Sequence, residues 1–275
     1  MNTASEITHA PGAHTPKART PESFGDHLRI WRRIRGVSQL HLALRADVSA
    51  RHVSFLESGR ARPSRQMVET LADALDVPLR ARNPLLLAAG FAPAYTETPL
   101  EAPDASYIRH VLEVMLRGAE PFPALVLDRS WRILMTNRAG EGLLALCGVE
   151  AGEASLMELM LSPGPLKDAI VNWDEVVAET MKRVRREADH AGDMSLYDAA
   201  AALLPKGWKP PRKASASPQV PLLIPLHLRA GGVEMRFASI VATLGTAADI
   251  GLAELSVETF VPADAETEAM LRAQA

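Results

Sequence analysis

Residues 38–65, SQLHLALRADVSARHVSFLESGRARPSR, restrict this chain more tightly than any other stretch. Ser38 and Ser49 each stand directly before a short helical pattern, where a serine oxygen accepts an unpaired N–H of the first turn. Only Ala46-Asp47-Val48 lies between the two patterns, which leaves room for a tight turn, and Val53 and Leu56, three apart, define one buried face of the second helix. Ala50, Arg51, Ser54 and Phe55 are left facing outward. A short helix braced against another, with an arginine in its first turn and a basic loop after it, is suited to a DNA major groove.

The overall charge of −3 would argue against nucleic acid if it were evenly spread. It is not. From Phe24 to Arg65 there are nine arginines against three acids, Asp26, Asp47 and Glu57, so the rest of the chain holds 21 basic residues against 30 acidic ones. That asymmetry describes a basic binding module joined to an acidic body. At 275 residues and 47% hydrophobic content, two domains with real cores are feasible. No apolar run approaches the roughly 20 residues that cross a bilayer, and the first 20 residues lack the apolar segment of a signal peptide. A cytoplasmic protein without membrane partners is expected. The single cysteine, Cys147, excludes an internal disulfide and lies in an apolar run, as a buried structural thiol does.

Residues 1–20 have no periodicity and read as a disordered arm; 21–91 form the DNA module. Its first helix starts at Ser23 with Asp26 closing a capping box, and gathers Phe24, Leu28, Trp31 and Ile34 on one apolar face while Arg29, Arg32 and Arg33 take the wetter side. A fourth helix begins at Ser64. A fifth runs from Pro78 to Ala89, and Pro84 inside it leaves open a restart at Asn83-Pro84. Residues 92–103, with three prolines, read as an interdomain linker, 104–263 as the second domain and 264–275 as a tail. In the second domain two short strands, Ala124–Leu127 and Arg132–Thr136, precede a helix over Asn137–Leu146 and a mostly helical region over 155–204. A loop over 207–218 then leads to strands at Leu222–Leu228, Val233–Leu244 and Leu252–Val261.

Gln39 after Ser38, Leu42-Ala43, Val48-Ser49, Leu56-Glu57-Ser58-Gly59 and Pro63-Ser64 together resemble the Xre/Cro helix-turn-helix family of repressors. Asp47 stands where many members carry glycine, and Asp tolerates the left-handed conformation better than most residues. The longer string RHVSFLESGRARPSR with LADALDVPLRARNPLLLAAGFAPAY resembles Xre-type regulators that carry an MmyB-like ligand-binding domain; Asn137-Arg138-Ala139 and Asn172-Trp173 are similar to markers of that domain. The resemblance implies an all-α five-helix Xre-type domain followed by an α+β PAS-like domain, an antiparallel five-stranded sheet with helices on one face. It also implies a double-stranded DNA operator and an apolar small-molecule ligand of the fatty-acyl or a similar hydrophobic kind; because one short recognition helix contacts too few base pairs for useful specificity, a homodimer is expected.

Base reading is expected from Ala50, Arg51, Ser54 and Phe55: Arg51 as a bidentate partner of guanine or else a phosphate contact, Phe55 against a thymine methyl or else packed under the fourth helix. Gln39, His52, Ser58, Arg60, Arg62 and Arg65 are expected at phosphates. For the second domain, Met135, Met160, Trp173, Val177, Met181, Phe237 and Val257 are candidates to line an apolar pocket, or else to fill a solid core. In that second case the domain is an oligomerisation or protein-partner module. The eight histidines show no metal-ligand spacing and no glycine-rich phosphate loop is present, so neither cofactor, metal nor catalysis is expected.

Overall fold

The computed structural model of the protein describes residues 23–149, 155–211 and 224–273. The arm expected over 1–20, most of the loop over 207–218 and the first two residues of the strand expected from Leu222 lie outside the described residues.

Five helices build the N-terminal domain: α1 (Phe24–Ile34), α2 (Gln39–Arg45), α3 (Ala50–Glu57), α4 (Arg65–Ala74) and α5 (Leu79–Ala88). Ser23, Ser38, Ser49 and Ser64 cap the first four, each side chain accepting from the backbone N–H three residues on. Asp47 takes up the left-handed turn conformation at φ 52°. Leu28, Leu42, Val53, Leu56, Leu71, Leu75 and Leu86 fill the core, and α5 runs unbroken through Pro84.

Arg29 and Arg32 depart from the wet face that periodicity assigns them. Arg32 is mostly buried and grips the Glu57 carboxylate at 2.6 and 3.1 Å, while Arg29 donates to the Glu57 carbonyl. Gln39 donates to the same carboxylate at 2.7 Å. A carboxylate with only 5% of its residue exposed needs such partners, and they tie α1 and α2 to the end of α3. Gly25 completes the joint, because a Cβ there would fall 2.6 and 2.7 Å from the carbonyl oxygens of Glu57 and Leu56.

Residues 92–103 are not loose. Asn83 donates to the Tyr95 carbonyl and accepts from the N–H groups of Ala94 and Tyr95; Arg65 donates to the Ala92 carbonyl. From the second domain Asp249 accepts from the hydroxyls of Thr96 and Thr98 and from the Thr98 N–H, and Leu100 is buried.

The second domain begins with a 3-10 turn at Pro103–Ala105 and α6 (Ser106–Ala119), followed by β1 (Ala124–Leu127), β2 (Ile133–Thr136) and α7 (Arg138–Leu146). Helices α8 (Leu156–Leu161), α9 (Pro165–Ala169), α10 (Trp173–Ala191) and α11 (Ser195–Leu203) come next. Then follow β3 (Leu226–Ala230), β4 (Val233–Thr243), α12 (Ile250–Ala253), β5 (Ser256–Pro262) and α13 (Ala265–Ala273). The five strands form one antiparallel sheet in the order β2-β1-β5-β4-β3, the PAS-like arrangement.

Three sequence expectations change here. Both faces of the sheet are covered, since α6 lays Leu112 and Leu116 on Ala124, Val126 and Val257, opposite the main core. Residues 250–253 are helical because Asp249 caps them by accepting from the Leu252 N–H, so the last strand starts at Ser256. The tail contains α13: Asp264 accepts from the Thr267 N–H, Thr267 accepts from the Arg236 N–H, and Leu271 enters the core. No helix among the described residues is long and apolar enough to cross a membrane.

Two outcomes follow from this architecture. Burial alone would raise the Glu57 carboxyl, but the bonds from Arg32 and Gln39 outweigh it and hold the group below its ordinary value. A lowered folded-state value contributes stability above the usual glutamate range, about pH 4.3, that is lost as pH falls through the folded value. Glu57→Gln is expected to cost on the order of 3 kcal/mol in urea unfolding at neutral pH, by stranding Arg32. It should also flatten that acid-side loss; an unchanged pH profile would contradict the arrangement. In limited proteolysis with proteinase K, wild type should resist cleavage within 92–103, whereas Asp249→Ala should be cut there; early cutting of wild type in that stretch would show the anchoring to be wrong.

Candidate functional site

The outward face of α3 carries the residues expected to read DNA. Arg51 is exposed, Ala50, Ser54 and Phe55 are half-buried, and Val53 and Leu56 are fully inside. Two guanidinium groups approach the Phe55 ring, Arg51 at 5.1 Å and Arg60 at 5.9 Å from its centroid. Stacked cations of this kind restrict arginine side chains that would otherwise sample many rotamers.

The residues expected at phosphates are less uniform. Gln39 gives a hydrogen to Glu57, the Ser58 hydroxyl donates to the Ser54 carbonyl, and Arg65 donates to the Ala92 carbonyl and stacks on Phe91. His52 is half-buried, its N–H donating to the Ser49 cap. Arg60 and Arg62 project from the loop after α3.

In the second domain the sheet and helices line a half-open cavity of about 360 Å³. Its walls are Leu125, Leu226, Leu228 and Phe260 from the sheet, Leu143, Leu144 and Cys147 on or just after α7, Met160 of α8, Leu166 and Ile170 near α9, and Val176 of α10. Trp131 closes one side. Polar groups gather at one region: Glu179, Thr180, Arg183 and Arg186 of α10 face Ser239 and Glu258. Arg183 is ion-paired with Glu258 at 3.1 Å and Glu187 at 2.8 Å, and Ser239 donates to Glu258. Arg186 is exposed and has no partner among the described residues. Burial pushes the Cys147 thiol up, away from the reactive thiolate.

The asparagines of the two sequence markers frame this chamber. Asn137, 6% exposed, accepts from the N–H groups of Ala124 and Gly140 and donates to the carbonyls of Leu116 and Phe122, locking α7 to β1. Asn172 donates to the Pro225 carbonyl and accepts from the His227 N–H, locking the start of α10 to β3. Beside it Trp173 donates to the Met160 carbonyl and meets Trp208 edge to face at 6.2 Å.

Of the seven expected pocket residues, Met160 lines the cavity. Trp173 buttresses it from outside, while Val177, Met181 and Phe237 belong to the filled core beside it. Met135 and Val257 pack on the other face of the sheet, toward α6. Registers explain the inversion: residues directly opposite in an antiparallel ladder share a face, so Val257 goes with Val126 whereas Glu258 goes with Leu125 and Val241. Sequence reasoning missed Leu143, Leu144, Trp131 and Arg183. The signal for Arg183 lay in the spacing Val176, Thr180, Arg183 along one face of α10.

A family model described as the MmyB-like transcription regulator ligand binding domain matches residues 108–273, and one described as a helix-turn-helix domain matches residues 23–85. Among solved structures, the chain is similar to the PAS domain from Bordetella pertussis BvgS, at 16% identity, covering 62% of this chain and 96% of that one with a TM-score of 0.29. It is also similar to an RNA-binding Light-Oxygen-Voltage receptor, at 11% identity, covering 91% and 61% with a TM-score of 0.26. No curated protein matches the chain.

Proposed function

We infer the activity of this chain from its family: it belongs to the MmyB-like transcription regulators, and it joins a helix-turn-helix DNA-binding domain to a ligand-binding domain. We propose further that it is a sequence-specific regulator reading an operator with α3 and sensing a small apolar ligand, with acyl chains as the best-fitting class. The observation that supports the ligand class most directly is the 360 Å³ cavity, whose walls are aliphatic and aromatic and whose polar groups collect at one region, as an amphipathic molecule requires. Exposed Arg186, in the lining of that region, is the proposed partner of an acidic head group.

On the DNA side, Arg51 supported by Phe55 is the proposed reader of a guanine, Ala50 and Ser54 flank it, and Arg60 and Arg62 are the proposed phosphate contacts. One helix of eight residues spans too few base pairs for useful specificity, so a homodimer on a two-fold-related operator is the proposed functional unit.

Competition binding against a selected duplex and random duplexes, at several salt concentrations, tests the reading. Arg51→Ala should lose about 1–3 kcal/mol of discrimination with little change on random DNA. Arg62→Ala should weaken all binding and lower the salt slope by about one. Equal losses on both duplexes for Arg51→Ala would remove it as a reader. For the cavity, a thermal-shift series of saturated acyl chains should raise the melting temperature saturably at a preferred length. Leu144→Trp, which fills the chamber, should abolish that response; Val257→Trp, on the opposite face, should overpack by about 1–3 kcal/mol yet keep it. A flat response of wild type at every length would refute the acyl class.

A further inference from the structure

A second cavity, of about 550 Å³, lies between the two domains, and Trp131, Arg183 and Val241 line both it and the apolar chamber. The partition is therefore made of side chains. Arg183 is its most constrained member: its guanidinium sits 4.5 Å over the Trp131 ring and is held by Glu258 on the sheet and Glu187 on its own helix. Burial would lower its value, but the two carboxylates raise it, so it stays charged.

The helix that carries Arg183 also touches the DNA-binding domain. α10 has 19 residues, a rod of roughly 28 Å. Its body walls the chamber, and its C-terminal end rests on α1, where Arg35 donates to the His190 carbonyl at 2.9 Å. Gly192 ends the helix at φ 67°, and a Cβ there would lie 2.9 Å from the Trp31 ring and 3.1 Å from Ile34. From α1 the Glu57 joint leads to α3. A second bridge between the domains, Arg80 to Glu97 and Glu254, lies away from the chamber.

We propose that α10 couples the chamber to the DNA-reading helix, with Arg183 as the positioning residue. An apolar ligand that fills the chamber presses on the Trp131–Arg183 partition, shifts α10 against Trp31 and Arg35, and so moves α1 together with α3. This rests on the ligand-sensing reading above, but not on acyl chemistry.

Hydrogen–deuterium exchange of the full chain tests it, with the chamber occupied in two independent ways: by dodecanoate, its binding followed in parallel by thermal shift, and without any ligand by Leu144→Trp. Either occupancy should change exchange at Trp31–Val37 at least two-fold. In Arg183→Met, filling the chamber by Leu144→Trp should still alter exchange within 176–182, while the change at Trp31–Val37 is lost; Arg80→Met, which loosens the other bridge, should keep it. Because coupling is reciprocal, Gly192→Val should change exchange within 176–182 from the opposite end, a reading that survives if Leu144→Trp does not fold. Occupancy felt only around the chamber, a wild-type response in Arg183→Met, or no effect of Gly192→Val would overturn the proposal. If dodecanoate fails to bind while Leu144→Trp or Gly192→Val gives the expected change, the acyl class fails and the coupling stands.

Discussion

The buried carboxylate of Glu57 is the constraint on which the molecule's geometry turns. Placed at the end of α3 and nearly without solvent, it is tolerable only because Arg32 and Gln39 converge on it, and their convergence fixes α1 and α2 against α3. Gly25 lets the α1 backbone close onto the same helix end. The consequence reaches beyond the first domain, because α1 is also the helix on which the end of α10 rests. One helix, α1, thus has α3 on one side and the second domain on the other.

The second domain solves a different problem, which is to keep a chamber open inside a small core. Protein interiors close onto voids wherever side chains are free to relax. Here two asparagines oppose that collapse by fixing backbone to backbone: Asn137 pins α7 to β1 and Asn172 pins the start of α10 to β3. The Arg183–Glu258 pair props the far side. The cover on the sheet's other face, α6, supplies apolar contacts to Ala124, Val126 and Val257, which leaves the chamber face free of the duty of holding the sheet together. The result is a chamber with aliphatic walls and a polar corner.

The first domain was legible in the sequence because its signals are local. Four serines mark four helix starts, and Leu28, Val53, Leu56 and Leu71 fall where a 3.6-residue period puts them. Arg32 was misread for the opposite reason, and the Gln39–Glu57 bond was out of sight with it: a polar side chain on a helix reads as wet unless its partner is known, and Glu57 arrives from 25 and 18 residues away. Nothing in residues 92–103 themselves showed that they are anchored, because Asp249, which holds them, lies some 150 residues downstream. Pocket residues were the hardest. Both faces of the sheet are apolar, so alternation in β5 does not say which face is the chamber's, and the inward residue beside Val257 is a glutamate whose arginine sits on another element. Residues 264–275 did carry a helical spacing at Thr267 and Leu271, too short to separate from a frayed end without the Asp264 cap.

On the proposed coupling, occupancy of one domain changes what the other does to DNA. Its most direct measurement is the affinity of the full chain for a duplex that the chain itself has selected from a random library, by fluorescence anisotropy, with and without saturating dodecanoate. The account predicts a change of about five-fold or more, the lower end of ordinary coupling between sites, with affinity for random duplexes unaltered. Identical affinities for the selected duplex, under conditions where dodecanoate is demonstrably bound, would contradict it.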